Sequence, residues 1–441
     1  MRRLNAALRP VYLVPLLCFG FYSGFLLNGQ VRTAPNQFNY LREMAQAFLS
    51  GRVDIQCPPK SRCHDLALKD GKYYFYHATP AAFVFMPLVK IWGQETPDSL
   101  IAAIIGAGNV FLLILLLARV RASVRPDGSR REILAGELRA RALHEDWWFA
   151  LLWGLGTVQF YISMQGTVWH MAQTLAQSFL LIAALFIFSQ SAQRLVFSGF
   201  FFALAAYTRN DTVLGGLFFL SVILAKASTR RAFLRNAAFF SLPFVVLTIV
   251  GLFYNYARFG NPWEIGISYM QLEVQSGVAA RVAAVGKFSL LNLGENIYQQ
   301  LVRPPALTAT FPFIQMDPHG FGILWATPAY LLLIPLAWRM YKRYYDRLPT
   351  RESTLIATGA LLSAGAIALF LFLLSGHGFM QYAARYTLDL QLFVFVGMFL
   401  LMPTRPMHRG LAWTLLAISM YMQFSGALLF TEFFRRAAGV P

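Results

Sequence analysis

Apolar residues in this sequence gather into blocks about twenty long. One such block, wound as an α-helix, crosses a hydrocarbon core of about 30 Å. The composition agrees: 57% of the 441 residues are hydrophobic and 13% are charged, where a soluble domain carries about 25% charged residues. The chain reads as an all-α polytopic membrane protein. With no low-complexity linker and no clear internal repeat, residues 1–441 read as a single transmembrane domain.

Charge orients the spans. Arg2, Arg3 and Arg9 precede a first span at about Val11–Asn28, which favours a cytoplasmic N-terminus. A cleaved signal peptide is the other reading, but no small-x-small site follows the apolar run. The next span is about Ser99–Val120. Later spans run roughly 147–164, 167–189, 195–208, 211–228, 235–256, 321–339, 354–375, 386–403 and 410–431, about eleven in all. This count places every inter-span arginine cluster in the cytoplasm. These are the group from Arg119 to Arg141, the group Lys226 to Arg235, the group Arg339 to Arg351, and Arg405 with Arg409. The net charge of +18 is explained by those loops, so nucleic acid is not an expected partner.

Two long polar passages remain, 30–93 and 257–320, both extracytoplasmic. A chain that only crossed a bilayer needs no first loop of this length, so a functional loop is expected. Asn36–Ser50 has a helical pattern, with Phe38, Leu41, Ala45, Phe48 and Leu49 on one face and Asn36, Asn39, Tyr40 and Glu43 on another. That suits a helix lying in the interface. Residues 79–93 are apolar but short and contain Pro87 and Lys90, so they too read as interfacial. If they crossed, the arginine-rich segment 119–146 would face outside, against the positive-inside rule. Cys57 and Cys63 bracket "PPKSR" in a loop placed in an oxidising compartment, and a disulfide is expected there, with two free thiols as the alternative. Cys18 sits in the first span.

The unusual polar groups map to the outer side. The first loop offers Glu43, Asp54, Asp65, Asp70 and His77. The turn after the third span reads "SMQGTVWHMAQ", with Trp169 and His170. "YTRND" carries Arg209 and Asp211, and "GHGFMQYAARYTLD" carries Tyr382, Arg385 and Asp389. Each has a plain alternative: a headgroup anchor for the arginines and tyrosines, a helix-end hydrogen bond for His170, a turn former for Asp70 in "KDGK". Together they suggest a cleft. Arginine at a membrane boundary is costly and its planar fork clasps phosphate. A carboxylate or histidine would deprotonate an acceptor hydroxyl, and cations would stabilise a departing phosphate.

The segments "YLREMAQAFLSGRVDI", "DLALKDGKYYFYHATPAAFVFMPLVKIWG", "ALAAYTRND", "YNYARFGNPWEIG", "GFGILWATPAYLLLIPL" and "QYAARYTLDL" carry a resemblance over nearly the whole chain. It is to the polytopic type C glycosyltransferases, in particular the bacterial protein mannosyltransferase and aminoarabinose transferase type. The resemblance implies an inverting transferase in the bacterial inner membrane, with its site facing the periplasm. A polyprenyl-phosphate-linked sugar would be the donor, and an envelope glycan, lipid or protein the acceptor. It implies no certain cofactor and leaves a divalent metal open. Arg209, Arg385, Tyr382, His77 and Trp169 are the expected phosphate and substrate contacts. The chain departs from the pattern at two places. Asn36 and Gln37 stand where relatives commonly carry an acid, and "GTVWHMAQ" lacks a second one. Asp65, Glu43, Asp54 and His170, in that order, are the candidate bases. A transporter of lipid-linked sugars and a non-catalytic lipid-binding subunit are the alternative functions; few charges within the spans and no paired repeats weigh against the transporter.

Overall fold

The computed structural model describes residues 2–58, 63, 65–123, 142–191, 193–270, 277–336, 338, 351–379, 381–401 and 409–437. Among these the longer helices are α1 (Arg2–Tyr22), α2 (Tyr40–Leu49), α3 (Thr79–Trp92), α4 (Asp98–Ser123), α5 (Ala142–Leu155), α6 (Val168–Ile187), α7 (Arg194–Thr208), α8 (Gly216–Lys226), α9 (Arg230–Phe259), α10 (Gly277–Val285), α11 (Arg351–Leu373), α12 (Leu388–Leu401) and α13 (Arg409–Ala437). Local chemistry sets several ends. The Asn39 side chain caps α2 by accepting from the Leu41 amide, and Thr229 caps α9 through Ala232. Pro80 fits the first turn of α3, where its missing N–H costs nothing.

Among the described residues five helices are long and apolar enough to cross a membrane: Asp98–Ser123, Val168–Ile187, Arg230–Phe259, Arg351–Leu373 and Gly410–Phe430. The other expected spans are shorter or broken. The stretch 147–164 divides at Gly156 into α5 and a short turn Gln159–Ile162. The stretch 321–339 opens with two short turns, Ile323–Ala326 and Pro328–Leu332, because Pro328 cannot donate to the preceding turn. The stretches 211–228 and 386–403 each begin as a 3₁₀ turn. Such breaks are tolerated at membrane depth where protein surrounds them. Most of the expected arginine clusters lie outside the described residues.

Contacts sort the helix ends onto two poles. At one, Arg119 at the end of α4 donates to the Leu185 carbonyl near the end of α6. There too Arg121 lies over Phe399 and Lys226 over Phe188. At the other, Asn36 meets Asp98 and the Val168 amide bonds the Phe38 carbonyl. Both ends of α3 belong to this second pole, since Tyr76 and His77 precede it there and Asp98 follows it there. The helix therefore lies across the bundle end instead of crossing. Ala81, Ala82, Phe85 and Val89 are buried, while Phe83, Ile91 and Trp92 stay exposed. The expected faces of α2 need correction: Tyr40 and Arg42 are buried with Leu41 and Ala45, and Leu49 is exposed. Neighbouring loops cover the side that would face water.

In the first loop, Ala67–Lys69 pairs antiparallel with Lys72–Tyr74. Asp70 and Gly71 both adopt positive φ, 51° and 73°, as a two-residue hairpin turn requires. Met270 of the second loop bridges to Ala67, and Arg258 donates to the Phe75 carbonyl. The two long loops are thus in contact.

Asp98 anchors this pole. Its carboxylate accepts from the Asn36 amide (2.7 Å), Asn39 Nδ2 (2.6 Å) and Arg42 Nη1 (3.0 Å). The 166 turn crosses close by, where a Cβ on Gly166 would sit 2.6 Å from the Asp98 Cβ. Removing one partner of a buried charge pair typically costs about 3–5 kcal/mol. Asp98→Ala is therefore expected to lower the unfolding free energy by about that amount, measured by denaturation from detergent micelles. A loss near that of an exposed ion pair, under about 1 kcal/mol, would show that the clasp is dispensable.

Candidate active site

Arg209 follows the last turn of α7 in extended conformation. Its Nη2 reaches Asp389 Oδ2 at 2.5 Å and its Nε lies 3.6 Å from Asp211 Oδ1. Its guanidinium is 5.3 Å from the centre of the Tyr386 ring. Arg385 lies 5.4 Å from the centre of the same ring. Two arginines from distant parts of the chain therefore meet on one tyrosine. They differ in compensation. Arg209 has two carboxylates. Arg385 is 7% exposed, its Nε has no hydrogen-bond partner, and among the described residues no carboxylate forms an ion pair with it. Its backbone is fixed instead: the amide donates to Gln381 Oε1 and the carbonyl accepts from Gln173 Nε2.

The first loop reaches this pair from outside. Cys57 and Cys63 form a disulfide, with Cα atoms 5.3 Å apart. Two residues on, Asp65 has φ 59°, a conformation that costs a residue with a Cβ about 1–3 kcal/mol and is held only by its surroundings. Its Oδ2 accepts from Trp169 Nε1 at 3.1 Å, and Trp169 packs on Phe38 and Tyr40. Tyr76 lies within the fields of Asp65, Tyr386 and Arg209; burial raises its phenol well above the ordinary value.

His77 is the next residue. Burial, then the positive charges of Arg209, Arg385 and Lys287, lower its pKa from 6.5 to about 3. The cleft thus holds a neutral imidazole at physiological pH. Between pH 6.5 and about 3 the unfolded chain binds a proton that the folded cleft refuses. Stability is full above this window and falls as pH drops through it. His77→Gln is expected to flatten part of the fall in melting temperature below pH 6.5, followed in detergent. An unchanged slope would mean that the imidazole is solvated.

The structure brings Asp65, His77, Trp169, Arg209 and Arg385 together. His170 sits behind them, within the field of Arg385. Its Nδ1 is 2.6 Å from Thr167 Oγ1, and its Nε2 is buried without a partner. Three sequence candidates lie elsewhere. Glu43 is beside Arg42, 3.7 Å away, in the Asp98 clasp; burial raises its carboxyl above the ordinary value despite that arginine. Asp54 pairs with Arg52 at 3.0 Å. Tyr382, expected to bind substrate, is 1% exposed. Its hydroxyl donates to the Met422 carbonyl and its ring packs on Phe321, so it belongs to the core.

Sequence reasoning passed over Tyr386, Tyr76, Lys287 and Asp98, and gave Asp211 and Asp389 no role. Nothing local signals that Tyr386 is shared by both arginines. Among the described residues no group of three or more His, Cys, Asp or Glu side chains is placed to hold a metal.

No family model matches this chain, and no curated protein matches its sequence. A solved structure does match: the oligosaccharyltransferase of Archaeoglobus fulgidus in its apo form. The TM-score is 0.50 at 13% identity, over 96% of this chain and 55% of that one. The present chain thus spans about half the length of the protein it matches. At this identity the likeness concerns the fold alone. The chain therefore has a fold similar to that of this archaeal oligosaccharyltransferase.

Proposed function

We propose that the protein transfers a sugar from a polyprenyl-phosphate donor to an acceptor on the outer side of the bacterial inner membrane. The observation that carries this is Arg385, a buried guanidinium with no carboxylate ion pair among the described residues, beside a second arginine on the same ring. An unpaired buried cation is expensive, and a phosphate oxygen is the partner its planar fork fits. The exposed apolar face of α9, including Val245, Ile249 and Phe253, gives a lipid tail a surface continuous with the bilayer.

The chemistry follows from the placement. The acceptor oxygen adds to the anomeric carbon while the bond from that carbon to the phosphate oxygen breaks on the opposite face. The electron pair leaves with the phosphate, which Arg385 and Arg209 hold, and the acceptor proton passes to Asp65. Neutral His77 can donate a hydrogen bond to the phosphate without adding charge. Attack from the opposite face inverts the anomeric centre. Purified protein is expected to release polyprenyl phosphate from a radiolabelled lipid-linked sugar. Transport into vesicles without bond cleavage would favour the transporter instead.

The proposal includes the topology of about eleven spans, N-terminus inside, with the loop 30–93 outside. Reporter fusions at Gly71 and Gly128 are expected on opposite sides of the membrane. Finding both on one side would overturn it.

A further inference from the structure

Asp211 and Asp389 are left half-used by the reading above. Each gives one oxygen to Arg209. The other two, Asp211 Oδ2 and Asp389 Oδ1, are buried and receive no hydrogen bond. The residues are 4% and 0% exposed, and both carboxylates lie on the one guanidinium of Arg209. Two ionised carboxylates can only accept and repel each other, and a single proton shared by the pair would relieve that repulsion.

The surroundings say when the proton arrives. Arg209 and Arg385 stand here against Asp211 and Asp389, and with both carboxylates ionised the four charges sum to zero. Asp65, acting on Tyr76, and Lys287, acting on His77, add one charge of each sign. Gln173, whose Nε2 lies 3.4 Å from Asp389 Oδ2, and the Tyr76 and Tyr386 phenols add no charge. His77 is kept neutral by the cations around it, and His170 is held by Thr167. A lipid phosphate entering between the arginines would leave the cleft with a surplus negative charge away from water, which is costly. We infer that binding of the lipid phosphate at Arg385 and Arg209 is coupled to uptake of one proton, shared by Asp211 and Asp389. The inference rests on the phosphate reading. Its consequence is reciprocal: acid strengthens donor binding, and loss of the proton helps expel the spent carrier.

The test uses full-length protein in lipid nanodiscs with a chelator present, so that a divalent cation cannot supply the charge. The probe is a short-chain polyprenyl methyl phosphodiester, whose own charge is fixed across the neutral range. Calorimetric titration in buffers of low and high protonation heat counts the protons. Uptake of one proton is expected in the wild type, with affinity rising by up to about tenfold per unit fall in pH. Asp389→Asn and, separately, Asp211→Asn should bind the probe with no uptake, while His77→Gln keeps it. Binding without uptake in the wild type would overturn the coupling and leave the phosphate site standing. Uptake lost in His77→Gln or Asp65→Asn but kept in both pair variants would place the proton elsewhere and overturn the assignment. If the probe does not bind at all, the phosphate reading falls, and this inference with it.

Discussion

Asp65→Asn is expected to lower sugar transfer by about 10²–10⁴-fold, the usual contribution of a positioned base, while donor binding stays within a few-fold. The carboxylate is the one sequence-ranked acid that acts on Tyr76, which also lies in the field of Arg209. Its Oδ2 is oriented by the Trp169 indole, and its backbone is held in a left-handed conformation two residues beyond the disulfide. The amide isostere keeps the size and can still accept from Trp169, so folding should be little affected. Glu43→Gln and Asp54→Asn are expected to retain turnover, because both acids are engaged away from the cleft, in ion pairs with Arg42 and Arg52. Single-turnover assays with preloaded labelled donor separate the chemical step from binding. If Asp65→Asn transfers sugar at the wild-type rate, the base is another group, with His170 the next to examine.

The second large effect is expected at Arg385. Arg385→Ala should weaken donor binding and lower turnover together, the latter by about 10²–10³-fold, in the range seen when one preorganised donor to a developing anion is removed. Arg385→Lys should recover only part of this, since a point charge replaces a two-pronged donor. Arg209→Ala makes the useful contrast. Arg209 already contacts Asp389 and Asp211, so its loss should also destabilise the fold by leaving two buried carboxylates uncompensated. Melting temperature and turnover measured side by side distinguish the two roles. If Arg385→Ala binds polyprenyl phosphate as tightly as the wild type, this guanidinium does not hold the phosphate.

Much of the architecture was legible in the chain itself. Blocks of apolar residues near the bilayer thickness dictate helices, because a helix pairs its own backbone and needs no partner segment. Length and Pro87 set residues 79–93 apart as a short helix, and "KDGK" marked a turn, since these are local preferences of a few residues. The cysteine pair was readable for the same reason: six residues apart, it needs only a short loop to close. The arginines and Asp65 stood out because charge at a membrane edge is costly enough to be noticed singly.

What the chain alone left open depends on pairings between residues far apart. Asn36 and Gln37 gave no acid after the first span, yet Asp98, from another helix, places its carboxylate against that very segment. Tyr382 looked like a site residue beside Arg385, and only the packing of Phe321 and the Met422 carbonyl shows it turned inward. Arg209 and Arg385 lie on one ring, and Asp211 and Asp389 share Arg209, because α7 and α12 end at the same pole. Helical spacing fixes which face a residue occupies but not which face it meets. That is decided by how whole helices pack, a property of the sum of many weak contacts and of no single stretch.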